Sequence, residues 1–161
     1  MNLRDFFQER KASTDKLPPS LSVPGAIDEH ARIGCLDFVA AIEAHRKWKA
    51  RLTDFIEGRS EETLDPAVIC QDDKCALGKW IHGEGKTFCG HLPRFHQLKA
   101  DHAEFHIHAA EVVRLAQKGH SVQAMKYALE GPFSEYSLKT QFSLSRLYAE
   151  MSQSLSFAVK P

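Results

Sequence analysis

The stretch Phe95-His96-Gln97-Leu98-Lys99-Ala100-Asp101-His102-Ala103-Glu104-Phe105-His106-Ile107-His108-Ala109-Ala110-Glu111-Val112-Val113 decides the fold. Phe95, Leu98, His102, Phe105, His106, Ala109, Val112, Val113 and then Ala116 recur at steps of three and four, one face of a 3.6-residue period. Leu92-Pro93 places a proline in the first turn, and Gly119 supplies a stop. The stretch therefore predicts a long helix with one buried face that carries two histidines.

The same periodicity gives two further long helices. Upstream, Ile27, Ala31, Cys35, Phe38, Ile42, His45, Leu52 and Phe55 predict a helix of about thirty residues from Ala26, ending at Gly58. Asp28 and Glu29 suit its first turn, and His45 falls on its apolar stripe. Downstream, Phe133 to Phe157 is expected to turn Leu138, Phe142, Leu144, Leu147, Met151 and Leu155 inward. Ser121 to Glu130 reads as a shorter helix before Gly131-Pro132. Between the first two long helices, Pro66 to Cys70 suggests one helical turn and Cys75 to Ile81 a short helix. Gly83, Gly85 and Gly90 are expected to break the chain between that short helix and Leu92. No alternating β-branched run marks a strand. The expectation is an all-α, antiparallel four-helix-type bundle over residues 25–158, with a short extra helix carrying Cys75. Residues 1–24 read as a tail, since Pro18, Pro19 and Pro24 exclude helix interior there; Leu3, Phe6 and Phe7 form at most one apolar turn.

Composition narrows the function. The 161 residues suffice for one core. Lysine plus arginine number 21, matched by 21 aspartate plus glutamate, so there is no basic field for nucleic acid. No apolar run is long enough for a membrane span, and the N-terminus lacks the apolar core of a signal peptide. The expected location is the cytoplasm, where Cys35, Cys70, Cys75 and Cys89 are ligands, redox thiols or packing residues before they are disulfides.

The nine histidines supply the chemistry. His102 and His106, four residues apart, share one helical face and can close two corners of a tetrahedral metal site. His45 is a third inward imidazole. Cys75 begins a short helix, whose free amides and dipole favour a thiolate. Imidazoles with a thiolate suit Zn²⁺ rather than Mg²⁺ or Ca²⁺. Spacing alone leaves a plainer reading open, in which each inward histidine is a core residue with one hydrogen bond. The other histidines, His30, His82, His91, His96, His108 and His120, are expected at the surface or supporting the site. Glu104 lies off the face of the His102–His106 pair, which argues against a metalloprotease arrangement.

The motifs resemble those of the chemoreceptor zinc-binding domain (CZB) family. Cys75-Ala76-Leu77-Gly78-Lys79-Trp80, His45-Arg46-Lys47-Trp48 and His102-Ala103-Glu104-Phe105-His106 occur in family order, and the resemblance runs from about Ile27 to Tyr148. It implies zinc ligated by His45, Cys75, His102 and His106 in a helical bundle that pairs as a homodimer. It also implies a sensory role, for zinc or for oxidants such as hypochlorous acid, controlling a chemoreceptor or a diguanylate cyclase in trans. Gly78 then allows close packing near the metal or is a mere surface glycine. Trp48 and Trp80 wall the site, Lys79 is solvated, and Asp72 or Asp73 could offer a carboxylate to a ligating imidazole.

Four protein ligands close a tetrahedral site, so the expected role is regulatory rather than catalytic. Two alternatives stand beside it: an enzyme with an open zinc position, and a purely structural dimerisation bundle. Cys75 is the thiolate that oxidation would remove from the metal, with Cys70 a candidate resolving thiol. The chain shows no output module of its own. Met1 and the tail point towards a stand-alone protein over an excised fragment.

Overall fold

The computed structural model describes residues 32–33 and 36–158, with side chains from 36 to 153. The N-terminal tail, residues Ile27 and Ala31 of the first predicted stripe, Cys35 and His30 lie outside them. Two short strands, β1 (Arg32–Ile33) and β2 (Leu36–Asp37), pair antiparallel. Seven helices come after them: α1 (Phe38–Ile56), α2 (Pro66–Ile69), α3 (Ala76–His82), α4 (Glu84–Cys89), α5 (Pro93–Gln117), α6 (Ser121–Leu129) and α7 (Pro132–Ala158). The chain is an all-α bundle, as expected.

Two boundaries differ from the expectation. The first long helix begins at Phe38 rather than Ala26, because Asp37 caps it and accepts a hydrogen bond from the Ala40 amide at 2.9 Å. Residues 32–33 and 36–37 are extended instead. Gly83 and Gly90 flank a helix, α4, where only breaks were expected. The stops at Gly58 and Gly119 hold: both residues have positive φ, 68° and 80°, which glycine adopts without a side-chain clash.

The buried stripe of α7 departs furthest from expectation. Leu138 and Phe142 are 65% and 62% exposed. Leu144 and Leu147 are buried as expected, and Met151 packs against the same core. The inward face also carries Phe133, Ser137, Thr140 and Ser143. Its middle is polar because α5 presents the buried carboxylate of Asp101 there. Ser143 Oγ donates to Asp101 Oδ2 at 2.5 Å, and Thr140 Oγ1 donates to the Asp101 carbonyl at 3.1 Å. A search for apolar residues alone also takes in Leu138 and Phe142, which lie nearly on the opposite side of the helix.

The long helices have a defined order. Phe105 of α5 meets Phe133 of α7, and Arg94 meets Glu150, so these two run antiparallel. Phe38 meets Tyr148 and Lys49 meets Ser134, so α1 is also antiparallel to α7 and parallel to α5. Helix α6 packs against all three. The core has two parts. One gathers Phe38, Ala41, Leu77, Trp80, Phe95, Leu98 and Leu144. The other gathers Leu52, Leu64, Ile69, Phe105, Val112 and Phe133. On α1, His45 falls between Ala41 and Leu52; on α5, His102 falls between Leu98 and Phe105. The imidazoles thus occupy the seam between two apolar clusters.

Candidate metal centre

His45, Cys75, His102 and His106 converge at this seam. One donor atom from each lies within 4.8 Å of all the others. The imidazoles are buried at 3%, 0% and 4% exposure, and Cys75 is half-buried. Parallel α1 and α5 supply the three histidines side by side, and the N-terminus of α3 brings the sulfur.

The hydrogen bonds define which ring nitrogens carry protons. His45 Nδ1 donates to the Ala41 carbonyl one turn back on its own helix, at 2.7 Å. His106 Nδ1 donates to the Ile69 carbonyl, at the end of α2, also at 2.7 Å. A carbonyl only accepts, so both protons sit on Nδ1 and both Nε2 atoms carry bare lone pairs. His45 Nε2 is buried with no hydrogen-bond partner. His102 Nε2 lies 3.2 Å from His106 Nε2 and 3.2 Å from Cys75 Sγ. It can place a proton in at most one of those gaps.

Electrostatics keep the rings neutral. Burial pushes the pKa of His102 down to about 2, helped by His106, His45 and His82. Burial also lowers His45 and His106, against the raising effect of their carbonyl bonds. The thiol of Cys75 is pushed up, first by burial. Its bonds from the amides of Gly78, at 3.2 Å, and Leu77 pull it down without offsetting that, and Asp72 adds to the rise. The expected thiolate therefore does not follow from the helix N-terminus alone. A thiolate at this position would need a cation beside it to supply the balance.

Such a cluster fits a tetrahedral N₃S ion. Zinc–nitrogen bonds of ~2.0–2.1 Å set neighbouring nitrogens roughly 3.3 Å apart, and the His102–His106 pair stands at 3.2 Å. Several lone pairs face one another in an apolar seam, an arrangement that costs free energy unless a proton or a metal joins them.

The surroundings decide several open points. Gly78 is required: a Cβ there would lie 1.6 Å from the Asp72 carbonyl oxygen. Trp80 is buried against Phe38 and Phe95, and Trp48 packs edge-on against Phe105, so both are walls. Lys79 is exposed. Neither acid of the preceding loop is bonded to an imidazole of the cluster. Asp72 Oδ2 pairs with His82 Nε2 at 2.9 Å, and Asp73 pairs with Lys74. Main-chain carbonyls take that role, because they are already dehydrated within the bundle. Glu104 points to His108, 3.5 Å away, and stays outside the cluster. His82, His91, His96 and His120 are exposed; His108 is half-buried, bonded to Tyr127 and stacked on Tyr136.

Sequence reasoning missed the Ala41 and Ile69 carbonyls. The first was findable, since a helical histidine can bond back to residue i−4. The second depends on where α2 ends in space and leaves no trace in the chain. Comparisons with curated proteins and with solved structures returned no match. One family model does match, over the stretch that holds all four converging donors: residues 45–113 match the model of the chemoreceptor zinc-binding domain.

Proposed function

We propose that the chain is a zinc-binding regulatory module in which His45, Cys75, His102 and His106 hold one Zn²⁺ in a closed site. The observation that carries this reading is the pair of Nδ1–carbonyl bonds. They leave unprotonated Nε2 atoms facing one another and the Cys75 sulfur in a buried space. Zinc would neutralise the thiolate and tie three helices together, and a full set of protein donors suits control rather than hydrolysis.

Two regulatory inputs fit the donor set. Zinc supply can set occupancy, because structural zinc contributes folding free energy directly. An oxidant such as hypochlorous acid can deliver oxygen to Cys75 Sγ, giving a sulfenic acid and chloride, and a sulfenic acid is a poorer donor than a thiolate. The partners this reading assigns are a second copy of the chain and a chemoreceptor or diguanylate cyclase in trans, with neither membrane nor nucleic acid engaged. Metal analysis of purified protein tests the core of it: one zinc per chain is expected. A content far below that after zinc is supplied overturns it, as does binding that persists when Cys75→Ala is combined with His102→Ala.

A further inference from the structure

Asp72 touches α3 twice. Its carbonyl oxygen occupies the space where a Gly78 side chain would be. Its carboxylate accepts from His82 Nε2 at 2.9 Å. Gly78 and His82 are four residues apart and so lie on one face of α3. The residue at the head of that helix is Cys75, whose sulfur caps it through the Gly78 amide. Cys75 is also the most exposed of the four converging donors, so solvent, reagents and ions reach the cluster past it.

We propose that Asp72 and His82 form a clasp that holds the 70–75 loop against α3 and thereby governs access to Cys75. They are positioning residues: neither is hydrogen-bonded to the donor cluster, and the clasp acts through the loop backbone. The proposal rests on the zinc reading for its physiological meaning, where the clasp sets how fast metal enters and leaves. Its geometry does not depend on metal. With the clasp closed, the loop is held against α3 beside the half-buried Cys75; with it open, the loop keeps the Lys74 amide bond to the Gln71 carbonyl, at 3.4 Å, and the exposed Lys74–Asp73 pair just before Cys75. The side chains of His82 and Asp72 are 37% and 24% exposed, so the clasp meets solvent at the surface while the donors stay inside.

The rate of maleimide labelling at Cys75, followed by peptide mass spectrometry in metal-free full-length protein, tests this. Asp72→Ala and His82→Ala should each accelerate labelling about fivefold, the equivalent of one net hydrogen bond. The double variant should be no faster than either single, because the two side chains act as one unit. His82→Gln, which keeps a donor, should stay near the native rate. Labelling at buried Cys89 reports global unfolding and should not change. Native rates in both alanine variants overturn the clasp, as do additive effects in the double variant. Acceleration by Asp72→Ala alone also overturns it, since that isolates the charge of Asp72 on the thiol. Zinc transfer to a chelator from the loaded protein should follow the same order. Absence of zinc from the native protein would defeat the zinc reading, yet the labelling experiment would still decide the clasp.

Discussion

Replacing Gly78 by alanine tests the architecture around Cys75 with one methyl group. The added Cβ would lie 1.6 Å from the Asp72 oxygen, 2.7 Å from its carbonyl carbon and 3.1 Å from the Asp73 Cα. All three are main-chain atoms, so no side chain can swing aside. Ordinary contact begins near 3.4 Å, and the loop must retreat by about 1.8 Å to reach it. Overpacking of this kind costs about 1–3 kcal/mol. Alanine returns up to ~1 kcal/mol through its helix propensity. The displaced loop also loses the Asp72–His82 bond. Thermal unfolding of the metal-free protein should therefore shift down, by roughly 2–4 °C per kcal/mol of net loss for a chain of this size. Zinc retention against a chelator should fall with it. Gly58→Ala is the comparison: nothing lies within 4 Å of its Cβ, and its φ is +68°. It should cost about 1–2 kcal/mol through left-handed backbone alone and leave zinc retention unchanged. A Gly78→Ala protein that melts within about 1 °C of the native one and holds zinc equally well would refute the close approach.

Other consequences can be checked directly. His45→Ala should reduce zinc content well below one per chain while far-ultraviolet circular dichroism stays helical, measured on protein refolded with zinc. Chelation of the loaded protein should lower its melting temperature, and an unchanged melt would favour a bundle that does not use metal. Sub-stoichiometric hypochlorous acid should oxidise Cys75 before Cys89, by peptide mass spectrometry. Cys89 is fully buried, its thiol bonded to Met151 Sδ and pushed up to about 11, so modification of Cys89 first would count against a Cys75 switch. Asp101→Ala should destabilise by about 1–3 kcal/mol in denaturant titration, because buried Ser143 Oγ would lose its 2.5 Å acceptor.

The helices are legible where burial is apolar and periodic. Phe95 to Val113 is buried nearly as its spacing predicts, since one wide stripe faces two neighbours. The α7 stripe is legible at Leu144 and Leu147 but not beyond, because Thr140 and Ser143 are buried for their bonds to Asp101 of α5, and hydrophobicity cannot signal that. Periodicity misplaces the start of α1 because the apolar period continues upstream of Asp37, while the cap that ends it is a single side-chain bond. At the candidate site, the four donor positions can be read from motif and face. The proton placement on the imidazoles cannot, because it depends on carbonyls brought near by packing. From sequence, Asp72 or Asp73 reads as solvated or as a carboxylate for an imidazole in the cluster. Asp72 serves His82 instead, since a buried carboxylate costs more than a half-exposed one.

The carbonyls of Ala41 and Ile69 carry a consequence for how such a chain tolerates change. Both are main-chain atoms, so no substitution at position 41 or 69 deletes the acceptor; only proline, or a shift of the helix itself, can disturb it. A side-chain carboxylate in the same place would be lost by one codon change. The tautomers of His45 and His106 are thus insulated from drift at the residues that set them, and surrounding positions can diverge while the two nitrogens stay unprotonated.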